Sequence, residues 1–577
     1  MGRWWILVCA VASSMFIGAC DGSKDQKQTN QKAPSPFGKY EGLVADSAMV
    51  VSAHPLASEI GVAVMRKGGN AADAAVAVQF ALAVCFPYAG NIGGGGLLVV
   101  RQAGGEVNAL DFREKAPAAA SRDMYLDGKG EVIPKLSEKG HKAVGVPGSV
   151  AGMVALHQRY GRLPWKDLVQ PAVELAREGF AATAHEAKWL NEQQPDFRFY
   201  NERGQSYLVK DQAWQEGDTI RQEDLAVTLE RIRDLGADGF YKGETARLLV
   251  EEMERGGGRV TQADLDGYEA KWREPLVGDY RGHRVVTMPP PSSGGLVLVQ
   301  MLKMVEAYPL GEWGALTPQT IHCMVEAERR AFADRSEYMG DPDFVKVPVA
   351  ELLEQAYLKG RMADFDPTRA TPSDSILPGL PKREPTETTH FSIVDPSGNA
   401  ISVTTTINSP YGSKVWVKGA GFLLNNEMDD FTAKPGSPNQ FGLISNEANA
   451  IAPGKRMLSS MTPTIVEKEG KIFLVLGTPG GATIPTSIFQ VILDVIDHGA
   501  SLQEAVDLKR FHHQWQPDEI AIEDSVFSVK VWNALREMGH RICVREPIGR
   551  VDAIRRRPAG KLEGAADPRR DDAARGY

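Results

Sequence analysis

From about residue 40 to residue 365 the chain alternates helical and strand-like patterns of hydrophobic positions. Asn70 precedes the apolar run Ala71 to Val84 and is placed to cap it as a helix. The glycine run Gly93-Gly94-Gly95-Gly96 leads into the continuous apolar stretch Leu97 to Val100, which predicts a buried strand. These glycines precede a strand instead of opening a helix, and no Lys-Ser/Thr follows, so they do not fit a phosphate loop. Close backbone packing and a ligand-contacting loop both stay open. Ser501 with Glu504 has capping-box spacing for a later helix. The apolar run Ile472 to Leu476 predicts another strand. It ends in Gly477-Thr478-Pro479-Gly480-Gly481, ahead of a helix from about Pro485 to the stop at Gly499.

Between Asp366 and Glu387 the pattern breaks. Pro367, Pro372, Pro378, Pro381 and Pro385 punctuate a charged, Ser/Thr-rich segment that predicts an exposed loop. Thr388 to Val394, the turn Asp395-Pro396-Ser397-Gly398-Asn399 and Ala400 to Ile407 then read as strand, turn, strand. If those five residues form the loop, Val394 pairs with Ala400 and Thr388 stands opposite Thr406. The period of two then puts Asn408 on the face of Thr406 and turns Ile401, Val403, Thr405 and Ile407 the other way. An ordinary hairpin with threonines on a solvent face fits the same pattern.

Length and composition change the picture in two respects. A chain of 577 residues, 43% hydrophobic, can bury a large core, and length alone would allow roughly 3 to 5 domains. The net charge of −9 and the lack of long Lys/Arg runs exclude a nucleic-acid partner as an expectation. At the start, Arg3 and the apolar stretch Trp4 to Phe16 read as an export signal too short to span a bilayer. Ile17-Gly18-Ala19-Cys20 resembles a bacterial lipobox, with Cys20 as the lipidated residue. Asp21 to Pro36 is a polar tether unable to build a core, and an ordinary cleavable signal with an incidental Cys20 is the rival. Cys85, Cys323 and Cys543 show neither a disulfide framework nor metal-ligand spacing and are expected to be buried. No cofactor or metal motif is present. The run Arg569 to Arg575 reads as a solvated strip.

Candidate chemistry centres on Thr388. A threonine hydroxyl needs a base, and a chain terminus carries one: an α-amino group has a pKa near ~7.7 to 8.0. Cutting before Thr388 would create nucleophile and base on one residue, with Thr406 across the hairpin orienting the hydroxyl. Gly480 and Gly481 beside a helix start could present backbone N–H groups as an oxyanion hole, or could simply form a turn. His512-His513 has no acidic partner placed by the sequence and is assigned to structure.

Several motifs together resemble the gamma-glutamyltranspeptidase family. They are Thr388-Thr389-His390, Leu424-Asn425-Asn426-Glu427-Met428-Asp429-Asp430-Phe431, Ser459-Ser460-Met461-Thr462-Pro463-Thr464 and Pro479-Gly480-Gly481. Earlier in the chain, Asn91-Ile92-Gly93-Gly94-Gly95-Gly96, Asp111-Phe112-Arg113-Glu114, Met288 to Gly295 and Gly340-Asp341-Pro342 match the same pattern, as do Asp567-Pro568-Arg569 and Gly576-Tyr577 at the end.

The resemblance implies an α+β N-terminal nucleophile hydrolase fold, a four-layer αββα sandwich of two stacked, antiparallel-rich sheets. It implies self-cleavage between Glu387 and Thr388, with the two fragments held as a heterodimer. The expected organisation is a signal at 1–19, a tether at 20–38, a large subunit at 39–387 and a small subunit at 388–577. Thr388 would attack the gamma-carbonyl of glutathione or another gamma-glutamyl compound, and water, an acceptor amino acid or a peptide would take the acyl group. Carried over residue by residue, Arg113, Ser459 and Ser460 would hold the substrate α-carboxylate. Asn408, Glu427 and Asp430 would receive the α-amino group, Gly480 and Gly481 would be oxyanion donors, and Thr406 the orienting partner. A surface or ion-paired role for Arg113, Glu427 and Asp430 is the plain alternative. Phe441 stands where lid-bearing relatives carry an aromatic residue, and Glu427 where some carry Gln. The rivals are a cephalosporin or glutaryl amide acylase on the same fold and a non-catalytic binding lipoprotein. The expected location is the periplasm or cell envelope, touching membrane only through the lipid anchor.

Overall fold

The hairpin after Thr388 forms in the register that its turn dictates. In the computed structural model, which describes residues 37, 40–202, 204, 206–377, 388–434 and 446–577, Val394 pairs with Ala400 and Thr389 with Thr405. Asp395 organises the loop: its Oδ1 accepts from the N–H of Ser397 and of Asn399, both at 2.9 Å. Gly398 supplies the positive φ of +87° that closes the turn. Cys20, Glu387 and Phe441 lie outside the described residues, so the lipidation, scissile-bond and lid expectations attached to them have no structural counterpart here.

The two hairpin strands, Thr389–Val394 and Ala400–Thr406, occupy the middle of a seven-stranded sheet. Met49–Ser52 and Ala573–Gly576 continue it on one side. Gly95–Arg101, Val107–Phe112 and Lys271–Arg273 continue it on the other. A second seven-stranded sheet runs in the order Leu43–Ala45, Leu562–Ala565, Asp552–Arg556, Lys471–Gly477, Thr464–Lys468, His283–Thr287 and Leu276–Tyr280. All pairings in both sheets are antiparallel. The sheets stack face to face. Helices Pro55–Arg66, Ala71–Cys85 and Ser149–Tyr160 cover the first, and Gly294–Val305, Thr483–Ile496 and Leu502–Asp507 cover the second. The result is the αββα sandwich.

Both faces of the hairpin are buried, which overturns the solvent-face alternative. Phe391, Ile393, Ile401 and Val403 share a core with helix Ala71–Cys85, itself buried throughout and capped by the Asn70–Asp73 box. The other face meets the second sheet through polar rungs. Ser402 Oγ donates to the Leu476 carbonyl and Ser392 Oγ to the Asp552 carbonyl, each at 3.0 Å. The glycine run packs backbone to backbone, as a Cβ on Gly94 would overlap the Thr406 carbonyl oxygen.

Two further expectations are corrected. Cys85 and Cys323 are buried but Cys543 is partly exposed, because it sits on a strand of a small three-stranded sheet at the periphery. The segment 569–575 is no solvated strip. Arg569 is tied to Glu523 and Asp567, and Ala573–Gly576 is the edge strand of the first sheet. Among the described residues no helix is long and apolar enough to cross a membrane.

Candidate active site

Four neighbouring strands of the first sheet end at one edge, and their ends carry the candidate chemistry. Gly95 pairs with Thr406, Gly96 with Phe112, and Thr389 with Thr405. This register sets Thr388 opposite Thr406, and runs on through Gly95 to Arg113, the residue after Phe112. Thr388 and Thr406 are 5% and 3% exposed, so both are buried at this edge. Asn91 braces this corner: its Nδ2 donates to the Thr406 carbonyl at 2.9 Å.

Beyond Thr406 the chain leaves the strand. Asn408 has φ +72°, so its position follows a turn and not the period-two alternation expected for it. Its N–H donates to Thr406 Oγ1 at 2.7 Å, and its Nδ2 to the Asn426 carbonyl at 3.0 Å. Because Thr406 Oγ1 accepts from Asn408, its own proton remains to be given elsewhere, and Thr388 is the residue across the strand.

The neighbouring polar face is fixed by His390. Ser392 uses its proton on the Asp552 carbonyl, so His390 Nε2–H must donate to Ser392 Oγ, and Nδ1 must accept from Thr404 Oγ1, both at 3.0 Å. Burial lowers the His390 pKa to about 3, leaving the ring neutral. A Cβ on Gly477 would overlap this ring. The end of the second sheet thus rests on the hairpin just before Thr478-Pro479-Gly480-Gly481.

In that turn Gly480 and Gly481 adopt φ of +140° and +53°, open to glycine but strained for other residues. Their carbonyls accept from Thr483 and Ile484 at the start of helix Thr483–Ile496. Among the described residues nothing accepts from the N–H of either glycine.

Arg113 is buried at 1% exposure between carboxylates. Its Nη1 lies 2.9 Å from Glu427 and 3.6 Å from Glu114, and its Nη2 bonds Asp430 and the Leu458 carbonyl. Burial alone would lower the Arg113 pKa, yet Glu427, Asp430 and Glu114 outweigh it and hold the guanidinium charged. Burial raises all three carboxyls against the pull of Arg113: Glu114 to about 8, Glu427 well above its ordinary value, and Asp430 upward. The ion-paired alternative for these residues therefore holds for the unliganded site, although it is an interior cluster and not a surface one. Ser459 and Ser460 follow directly on Leu458. Ser459 Oγ accepts from the Met461 N–H, while Ser460 Oγ is buried without a partner among the described residues.

Sequence reasoning passed over Glu114 and Arg550. Arg550 Nη2 reaches Thr389 Oγ1 at 3.4 Å while its Nε lies 2.9 Å from Asp572. Glu114 was inside a quoted motif; Arg550 had no local signal. His512 and His513 are buried and neutral, lowered to about 3 and about 4 by burial, and bond Thr486, Gln514 and Asp518. Among the described residues one cluster, His322, Glu326 and His540, has metal-ligand character. Its donors are engaged: His322 bonds His540 and the Asp366 carbonyl, and Glu326 pairs with Arg329 and Arg330, which also oppose a cation.

Known proteins resemble this chain in sequence and in fold. A family model described as gamma-glutamyltranspeptidase matches residues 57–577. A glutathione hydrolase proenzyme from a Pseudomonas species is 48% identical over 537 residues, covering 91% of this chain and 93% of its own. A cephalosporin acylase from Bacillus halodurans superposes with a TM-score of 0.82 at 27% identity, over 94% of this chain and 98% of that one. The gamma-glutamyltranspeptidase of Helicobacter pylori aligns with a TM-score of 0.56 at 48% identity, over 60% of this chain and 97% of its own.

Proposed function

Because this chain belongs to the gamma-glutamyltranspeptidase family, we propose that cleavage between Glu387 and Thr388 frees the threonine that performs its catalysis. The protein is a self-cleaving enzyme that hydrolyses and transfers the gamma-glutamyl group of glutathione-type donors. The observation that supports the site assignment is the hairpin register: Thr389 opposite Thr405 and Gly95 opposite Thr406 put Thr388 beside Thr406 and Arg113 just past Phe112, while Gly477 packed on the His390 ring supports a nearby Gly480-Gly481 turn.

In this reading the α-amino group of Thr388 takes the hydroxyl proton, and Oγ attacks the gamma-carbonyl carbon. Thr406 donates its proton to the Thr388 hydroxyl oxygen and aligns it. The carbonyl oxygen becomes an oxyanion facing the N–H groups of Gly480 and Gly481. The C–N bond then breaks, the leaving amine takes the proton, and an ester to Thr388 remains. Water or an acceptor amine attacks that ester, the new C–O or C–N bond forms, and Thr388 Oγ recovers its proton. The donor head is a zwitterion. Its carboxylate would meet Arg113, Ser459 and the unpartnered Ser460 hydroxyl, and its ammonium would meet Asp430, Glu427 and Asn408.

The same reading divides the chain into a large fragment, 39–387, and a small one, 388–577, that stay together as a heterodimer. The leader at 1–19, Cys20 and the tether at 20–38 support export and lipid anchoring in the cell envelope. Amino acids and peptides are the proposed acceptors.

Intact mass of the native protein and of Thr388→Ala, with release of nitroaniline from gamma-glutamyl p-nitroanilide, tests the assignment. Two fragments joining at Glu387/Thr388 with activity, against one inactive chain in the variant, are expected. A native chain cut elsewhere, or an active Thr388→Ala, would overturn it. A correctly cut enzyme that releases nitroaniline only from a glutaryl anilide would point to an acylase.

A further inference from the structure

The two faces of strand Thr389–Val394 meet different layers. Phe391 and Ile393 pack with helix Ala71–Cys85, and the alternation of side chains puts Thr389 on that face. His390 and Ser392 face the second sheet, where Ser392 bonds the Asp552 carbonyl. Arg550 belongs to the second side by its backbone and to the first by its guanidinium. Its N–H donates to Thr478 Oγ1 at 2.6 Å, and Thr478 donates on to the Pro479 carbonyl at 2.8 Å, just before Gly480. Its Cζ lies 4.8 Å from the centroid of the Phe86 ring, at the end of helix Ala71–Cys85, and its Nη2 donates to Thr389 Oγ1 at 3.4 Å. One side chain therefore rounds the start of the strand, where Thr388 stands.

This arginine is buried at 2% exposure, and its Nη1 has no hydrogen-bond partner among the described residues. A buried cation with an unmet donor is uncommon in protein interiors, and its place calls for a role. Its salt-bridge partner is Asp572, 2.9 Å from Nε, with Asp552 buried beside it. Arg570 also acts on Asp572, and Asp567 is taken up by Arg510 and Arg569. Across the nucleophile stands Arg113 with Glu114, Glu427 and Asp430. Burial raises Asp572 to about 7 and holds Asp552 well above the usual carboxylate range. As pH falls through about 7, Asp572 joins Asp552 in the protonated form and the Arg550 guanidinium loses its counter-charge.

We propose that Arg550 is a positioning residue for the freed threonine: it ties Thr389 to the oxyanion turn and sets a fixed cation beside the α-amino group that cleavage creates on Thr388. The inference rests on the function proposed above. In the uncut chain the Thr388 nitrogen is an amide and carries no charge. Once cut, it is an amine whose ammonium form the guanidinium disfavours. It therefore stays the free base that takes the Thr388 Oγ proton down to lower pH than an ordinary chain terminus would. The side-chain bond to Thr389 and the backbone bond to Thr478 hold nucleophile and oxyanion donors at one spacing.

The test is the pH profile of gamma-glutamyl p-nitroanilide hydrolysis by the cleaved enzyme, with no acceptor added. Arg550→Gln should move the acid limb of kcat up by about one pH unit or more at unchanged donor KM. Arg550→Lys, which keeps the charge, should keep the native limb. A native limb in Arg550→Gln overturns the proposal, and so does an equal shift in Arg550→Lys, because lost packing would then explain both. Should Arg550→Gln fail to cut itself, Thr389→Val decides. It keeps the Arg550–Asp572 pair and removes the oxygen that draws the guanidinium to the strand end, so kcat should fall about threefold or more at unchanged KM. Native kcat in Thr389→Val overturns the proposal. A native enzyme that stays uncut, or that releases no nitroaniline, would overturn the proposed function itself and not the role of Arg550.

Discussion

At the scale of single residues, the site gathers three carboxyls, Glu114, Glu427 and Asp430, around Arg113, with Arg335 acting on Asp430 as well. Glu114, Glu427 and Asp430 all retain protons more firmly than exposed carboxyls do, because burial penalises their charged forms more than Arg113 favours them. An α-ammonium arriving beside them favours ionisation, so binding of a zwitterionic head should expel protons. Calorimetry with L-glutamate at pH 7, in buffers of different ionisation enthalpy, should therefore register proton release by the cleaved enzyme. Affinity should rise with pH until about 8, where Glu114 ionises without help. Glu427→Gln removes one of the raised carboxyls and should reduce the release. Heats that do not change with buffer would refute this account of the cluster.

At the scale of elements, the strand Lys471–Gly477 and the helix Thr483–Ile496 act through the turn between them. Gly480 has a φ of +140°, and a Cβ there would overlap Thr483 Oγ1, the group that donates to the Gly480 carbonyl. Gly480→Ala should fold, since the clash falls on one side-chain hydroxyl, but its N–H should turn away from the oxyanion. A fall in kcat of about 10²-fold with little change in donor KM is expected, by analogy with loss of one oxyanion donor. An alanine variant with native kcat would remove Gly480 from the oxyanion site.

At the scale of the whole molecule, the C-terminal segment closes over the stacked sheets and brings acid to acid. Tyr577 accepts from the N–H of Ser47 and Ala48, and Asp572 and Asp552 are buried against each other beside Arg550, with Arg570 acting on Asp572 as well. Burial raises Asp572 to about 7, and burial together with the Asp572 charge raises Asp552 further. Both folded-state values exceed the unfolded carboxyl value, so the folded enzyme binds more protons. Stability from this pair is full below about pH 4 and declines as pH rises through about 7, by about 1.4 kcal/mol per pH unit for each proton lost. The melting temperature should fall between pH 5 and pH 7. Asp552→Asn, which keeps a donor facing Asp572 and leaves one carboxylate for Arg550, should flatten that slope. A slope unchanged in Asp552→Asn would show that the pair does not set it.

The amino-acid sequence by itself determined what depends on neighbours along the chain. The Asp395–Asn399 turn sets the hairpin register, and with it the place of Thr388 opposite Thr406. Asn70 sets a helix start, and the motif residues carry the family. Tertiary structure alone decided what depends on distant neighbours. The hairpin threonines could not be told from solvent-facing ones, because the alternation of side chains marks two faces without saying what covers each. Asn408 lies past the strand end, where its positive φ makes a turn that the alternation does not describe. Arg550 meets Thr389 and Asp572, and Arg113 meets Glu427 and Asp430, only because the stacked sheets and the returning C-terminus bring them together. No spacing along the chain encodes such contacts. Their energetics follow from burial, which no residue possesses until the fold has closed around it.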